Sequence, residues 1–414
     1  MSLRDAGNAV VRVLKGIPST LKKAIAGPTF RKAVPSLLAI GAGLLFGIFT
    51  MFVIWLLVKV GVFNVVNDPQ LFRGIGKLLA GGFNKGMNSL GYMLYRAAPL
   101  ILTGLSVGFA FKTGLFNIGA PGQLLFGALT AIIIGLKVTM PAPWHWLVCL
   151  LGGMLAGGLW GLIIGALKSM FNVHEVVASI MMNYIAMYVA FWAMDTFSLR
   201  HQFIDSITQQ VSIAPYTETL QSTAWLPRGL ADVFGGYTVN IGIVIALAAV
   251  AVMYVVLNKT TLGYQLKAAG FNRDASRYAG MNTKRDIILS MTIAGILSGL
   301  AGAIIIMVPD KKMFTDQMTM SSEFMSIGFD GISIALLGLS EPIGVGLAGL
   351  FLAYIRIGGD YLDMANYMKE LADVITSVII YFSALSVALY QYVQKRKKKK
   401  LAVDAASVTG GDER

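Results

Sequence analysis

Asp330 stands in the apolar run Ile327-Gly328-Phe329-Asp330-Gly331. An ionised Asp at the centre of a membrane helix costs about 2.5–3.5 kcal/mol on insertion scales, so such a residue marks a transport path unless a local group accounts for it. The local alternative is capping, because an Asp beside a glycine can accept hydrogen bonds from the first N–H groups of a following half-helix. Asn117 carries the same two readings ahead of the apolar run that begins at Ile118. Gln123, Asn183 and Tyr184 offer amide and phenol hydrogen bonds, either to a polar solute or to the packed interior.

Other chemistries lack their parts. Cys149 is the single cysteine, which excludes an intrachain disulfide and a thiolate metal cluster. His174-Glu175 begins like a zinc-protease motif, but Ala178 stands where the second histidine belongs. The nearest approach to a phosphate-binding loop, Gly74-Ile75-Gly76-Lys77-Leu78, has neither the spacing nor the Ser or Thr after Lys. No metal, cofactor or ATPase site is expected in this chain, and no enzyme activity of its own.

The elements that position these residues are membrane helices. Of 414 residues, 56% are hydrophobic and 13% charged, against roughly 25% charged in an average soluble domain. A span needs about 20 apolar residues, and such runs fall near 37–60, 96–113, 118–136, 146–168, 176–197, 239–257, 287–308, 327–339, 342–358 and 371–393. The expectation is an all-α integral membrane protein of about ten transmembrane helices. The formal charge of +13 is clustered. Seven basic residues lie in 1–35, six in 258–286, and six run from Lys395 to Lys400. Each block flanks a span, which reads as cytoplasmic anchoring by the positive-inside rule and not as nucleic-acid binding. The chain then divides into a basic cytoplasmic tail (1–35), a transmembrane region (36–394) and a polybasic stop with a disordered tail (395–414). Two polar connections, 61–95 and 198–238, fall on the outer side and are long enough to form a docking face.

The stretch GLFNIGAPGQLLFGAL (114–129) sets glycines and a proline inside an apolar region. A helix interruption at membrane depth is tolerated only where protein or a watery cavity supplies hydrogen-bond partners. Ile118-Gly119-Ala120-Pro121-Gly122 is echoed half a chain later by Ile327-Gly328-Phe329-Asp330-Gly331. These segments open the third and eighth spans, five apart and so opposite in orientation. The expectation is a 5+5 inverted repeat with discontinuous helices, broken at Gly119, Pro121 and Gly122 and again at Gly328 and Gly331.

The loop 258–286, NKTTLGYQLKAAGFNRDASRYAGMNTKRD, is too ordered for a bare anchor. Tyr264, Leu266, Ala269, Ala275 and Ala279 recur at partly helical spacing between Gly263, Gly270 and Gly280, which suits one or two short amphipathic helices. Its small residues, Ala268, Ala269 and Gly270 with Ala275 and Ala279, would let such a helix dock into a groove of another protein.

The strings PLILTGLSVGFAFKTGLFNIGAPGQLLFGAL, NVHEVVASIMMNYIA, TTLGYQLKAAGFNRDASRYAGMN and GFDGISIALLGLSEPIG, in this order between about Leu90 and Tyr392, resemble the permease subunits of bacterial nucleoside and simple-sugar ABC importers. That class also holds the ribose and branched-chain amino acid permeases. The resemblance implies a multi-pass protein of the bacterial cytoplasmic membrane with both termini inside. It also implies a cytoplasmic subunit that binds ATP, a second permease chain in a heterodimer and an extracytoplasmic substrate-binding lipoprotein. It makes 258–286 the coupling segment against the ATPase. The wording GLFNIGAPGQ and GFDGISIALLG favours a nucleoside over a ribose-like sugar, with Phe116 and Phe329 as stacking faces for a base beside Asn117, Gln123, Asn183, Tyr184 and Asp330. Pro121 stands where the family usually has Glu. The competing reading is a proton-coupled secondary transporter, which also uses inverted repeats, with Asp330, Glu370 or Asp373 relaying the proton.

The charge pattern yields a first prediction. A tag placed after Arg414 should resist protease added to intact cells and be cleaved in inverted vesicles; cleavage from outside would overturn the topology.

Overall fold

The computed structural model describes residues 28–62, 67–204, 211–234, 239–314, 316–368, 370–371, 373–379 and 381–382. The residues before 28, the end of the tenth expected span and the polybasic run lie outside the described residues. Two compact units are distinguished, Met1–Phe46 with Ser377–Arg414, and Gly47–Thr376. In the first, Gly43 leaves room for Ile379.

Long helices follow the apolar runs. They are α1 (Pro28–Lys59), α2 (Leu71–Ala80), α3 (Met87–Lys112), α4 (Ala120–Lys137), α5 (Trp144–Phe171) and α6 (Glu175–Thr196), then α7 (Gly242–Lys259), α8 (Thr261–Phe271), α9 (Arg273–Tyr278), α10 (Thr283–Ile306), α11 (Ser326–Leu337) and α12 (Pro342–Asp360). Eight of them, including the 40–59 part of α1, are long and apolar enough to cross a membrane. Among the described residues the only paired strands are β1 (Arg200–Ile204) and β2 (Val211–Thr217), an antiparallel hairpin in the connection between α6 and α7. Among the described residues, helical backbone already runs from Pro28, inside the segment expected as a tail.

Glycine decides how the second unit packs. Lipid offers little hydrophobic drive between helices, so association rests on close backbone approach through small residues. Gly153, Gly157, Gly161 and Gly165 recur every four residues and so form one face of α5, which lies on Gly295 and Gly299 of α10. A Cβ at Gly157 would stand 2.5 Å from the Gly295 carbonyl oxygen, and one at Gly153 would stand 3.2 Å from that of Gly299.

The packing has the pairing that an inverted repeat requires. Helix α10 lies against α4 and α5, while α3 lies against α11 and α12; α3 touches α10, and α4 touches α11. Exchanging α3 with α10, α4 with α11 and α5 with α12 maps this pattern onto itself.

The two echoed motifs meet, but they are not built alike. The first is a true interruption: α3 ends at Lys112, residues 113–119 are non-helical, and α4 starts after Gly119 with Pro121 in its first turn, where a missing N–H costs nothing. In the second, Gly328 and Gly331 lie within α11 and break nothing. The irregular turn sits upstream, where a π-turn at Ser321–Met325 joins Gln317–Met320 to α11 in one helical run. The expected span near 327–339 therefore starts ten residues after the helical run does. The two glycines serve close contact instead: a Cβ at Gly328 would stand 2.5 Å from Pro121 Cα, and one at Gly331 2.7 Å from the Thr103 carbonyl.

Gly157→Ala should therefore lower the Tm and yield of the detergent-extracted protein, because the new methyl meets backbone that cannot step aside. Gly76→Ala in α2, where open space surrounds the Cβ position, should leave both unchanged or raise the Tm slightly. Equal behaviour of the two variants in a thermal melt would contradict this packing.

Candidate functional site

Three arrangements in the second unit bear on transport. The first surrounds the interruption before α4. Asn117 and Gln123 exchange amide hydrogen bonds: Asn117 Nδ2 donates to Gln123 Oε1 at 2.9 Å and Gln123 Nε2 donates to Asn117 Oδ1 at 3.1 Å. Asn117 also donates to Ser106 Oγ, which donates in turn to the Ala294 carbonyl at 2.7 Å. Asn183 of α6 spans the interruption, accepting from the Gly122 N–H at 2.9 Å and donating to the Ile118 carbonyl at 3.0 Å. All three amides are buried. Their polar capacity is spent on the protein's own backbone and on each other, so they hold the interruption in place and do not line an open path.

The aromatic candidates fall elsewhere. Phe116 stacks on Phe111 with centroids 5.0 Å apart. Tyr184 and Phe329 are 53% and 42% exposed, on the outer surfaces of α6 and α11. Asp330 caps no helix. It sits in the second turn of α11 and binds Arg356 of α12, whose Nη2 donates to Asp330 Oδ1 at 2.9 Å. Asp373 lies 3.7 Å from the same guanidinium. The expected capping role thus gives way to an ion pair between two helices, which the sequence concealed because its partner is 26 residues away.

The second arrangement is the loop between α7 and α10. Each of its helices begins on a side-chain cap: Thr260 Oγ1 accepts from the Gly263 N–H, Asn272 Oδ1 from that of Ala275, and Asn282 Oδ1 from that of Arg285. These caps satisfy N–H groups that helix starts leave free, and they make the loop an ordered helix pair. Its small-residue face turns inward, correcting the expected docking of Ala268, Ala269 and Gly270 into a partner. Gly263 lies on Val256 and Leu257 of α7, and Leu266 and Ala269 are buried. A Cβ at Gly270 would stand 2.6 Å from the Thr113 carbonyl carbon, and Gly114 faces it with φ +72°, a backbone conformation suited to glycine. The loop is thereby seated on the turn that precedes α4. Its exposed face carries Tyr264 (66%), Phe271 (91%) and Tyr278 (95%), with Ala275, Ala279 and Gly280 also exposed. Exposed rings of that size on an ordered element are the kind of anchor that protein interfaces bury.

The third is a cavity of about 200 Å³, which the sequence did not disclose. It lies at the ends of α3, α10, α11 and α12 that face away from the α8–α9 loop. Tyr92 and Tyr95 of α3 stack on one side of it with centroids 6.1 Å apart, and Arg96 lies over the Tyr92 ring. Lys311, Glu323, Ser326 and Arg356 complete its polar lining. Each cation has a carboxylate: Arg96 donates to Asp360 at 2.9 Å, Lys311 pairs with Glu323, and Arg356 pairs with Asp330. Lys311 belongs to a segment fastened to the hairpin, since the Thr217 N–H donates to the Met313 carbonyl at 3.0 Å and the Met313 N–H to Thr217 Oγ1 at 3.1 Å. The only one of the predicted residues joined to this cavity is Asp330, through Arg356. Spacing could not reveal the site, because its residues come from four helices and a loop; the Tyr-x-x-Tyr-Arg string of α3 was the one local signal.

Known proteins agree with this architecture. Residues 89–384 match the family described as the branched-chain amino acid transport system / permease component. The chain is 36% identical over 338 residues to the guanosine ABC transporter permease protein NupP of Bacillus subtilis, covering 81% of this chain and 92% of the relative. It is 34% identical over 313 residues to the nucleoside ABC transporter permease protein NupB of Lactococcus lactis, covering 75% and 83%. A glucose ABC transporter permease protein of Haloferax volcanii is 32% identical, with 78% and 83% covered. No solved structure matches the chain. A match over most of its length, with helices laid out as a multi-pass permease, makes the chain a member of the branched-chain amino acid transport system permease family.

Proposed function

We propose that the chain is a permease subunit of an ATP-driven importer that carries nucleosides across the bacterial cytoplasmic membrane. The ordered α8–α9 loop carries this reading. A subunit without a phosphate-binding loop needs a partner to use ATP, and a partner can shift its conformation only through an interface that differs between states. The loop offers such an interface on one face and a rigid seat on the Thr113–Gly114 turn on the other, so force applied to it reaches the helix interruption. Both termini and this loop are then cytoplasmic, and the hairpin and cavity face outward, toward a substrate-binding lipoprotein. A second permease chain completes a heterodimer, and ATP is bound by the separate cytoplasmic subunit. The likeness to guanosine and nucleoside permeases supports a nucleoside over a sugar.

The test is uptake of radiolabelled nucleosides by cells that depend on this importer. Uptake should collapse on ATP depletion and survive loss of the proton gradient; the opposite pattern would establish the secondary-transporter reading. Phe271→Ala with Tyr278→Ala should abolish co-purification of the ATP-binding subunit or cut uptake at least tenfold at unchanged membrane abundance. Normal coupling in that variant would show that the loop is not the ATPase contact.

The Asp330–Arg356 pair separates the readings further. Both side chains are largely buried, and removing Asp330 leaves Arg356 only the more exposed Asp373, 3.7 Å away. Asp330→Asn should therefore lower membrane abundance, and combining it with Arg356→Gln should restore abundance. A single variant that is fully abundant yet inactive, with no rescue by the second change, would instead mark Asp330 as a proton carrier.

A further inference from the structure

We propose that the cavity beside Tyr92 and Tyr95 is a binding site for an uncharged nucleoside and that its internal ion pairs exclude phosphorylated forms. This rests on the importer reading above and names the ligand class and its place within this subunit.

Three features point to that ligand. The stacked tyrosines present aromatic surface at the wall of a small cavity, and a base can lie against such a surface whatever its sequence of donors and acceptors. The lining is part apolar, and its charged groups are balanced. Arg96, Lys311 and Arg356 would form an anion site if they stood alone, but Asp360, Glu323 and Asp330 hold them. A nucleotide phosphate would have to displace a carboxylate and leave it unpaired, whereas a ribose hydroxyl or base edge can bond to a paired group without separating charge. Finally, the Arg356 guanidinium is already engaged by Asp330, with Asp373 3.7 Å away, so it is not free to receive an anion.

One wall of the site is tied to the hairpin. Lys311 and Glu323 pair across it, from the connection after α10 and from the π-turn before α11. The Lys311 connection is hydrogen-bonded to β2 of the exposed hairpin. The hairpin and the lysine at the cavity wall thus belong to one hydrogen-bonded unit.

Ser326 lines the cavity and Cys149, the chain's single cysteine, is buried. The complete importer carrying Ser326→Cys should react with a charged, membrane-impermeant methanethiosulfonate applied from outside, above the wild-type background. Guanosine should slow this labelling several-fold, and guanosine 5′-monophosphate at the same concentration should not. Absence of labelling, labelling indifferent to guanosine, or equal protection by the monophosphate would each overturn the proposal. Ile327→Cys on α11, another lining position that is partly exposed, gives the same readout if Ser326→Cys fails to assemble. Nucleoside uptake by the wild-type importer is measured alongside. Uptake without protection defeats this inference alone, whereas no uptake of any nucleoside defeats the importer reading and the inference with it.

Discussion

A peptide group in hydrocarbon has no water to bond to, so every departure from helix within a membrane protein must be answered by another part of the chain. Residues 113–119 are such a departure, and the surrounding structure is arranged to answer it. Asn183 takes up the Gly122 N–H and the Ile118 carbonyl from a separate helix, Asn117 and Gln123 satisfy one another, and Ser106 links that pair to α10. The same turn receives the α8–α9 loop through Gly270. One costly piece of backbone thereby becomes the point where the loop, the core and the start of α4 meet.

Close approach and charge compensation extend the same principle. Helices α5 and α10 come together through glycine faces because neither water nor lipid drives them together strongly. Gly328 lies on Pro121 in the same way, so the halves touch where the repeated motifs fall. Among the described residues, the charges around the cavity are matched by opposite charges. Asp330 answers Arg356 between adjacent helices, and the cations around the cavity are likewise balanced. The result is a cavity without a strong net charge, bounded by paired groups.

Much of this was determined by the sequence alone. Apolar runs of span length and basic blocks between them specify a multi-pass helical protein, because hydrocarbon thickness and charge cost leave little choice. The interruption that ends at Gly119 was legible because glycine and proline act locally, although Pro121 and Gly122 open α4 and do not break it, and so was the order in the 258–286 loop, whose Thr and Asn caps act within three residues. What only the tertiary structure decided is partnership over distance. The small-residue face of the loop turned inward, because Gly270 fits where a Cβ would strike Thr113. Gly328 and Gly331 looked like breaks and proved to be contact points, because spacing cannot distinguish a glycine needed for its φ from one needed for its size. Asp330 found Arg356, and Tyr92, Lys311 and Glu323 came to share a cavity, through the packing of helices far apart in the chain.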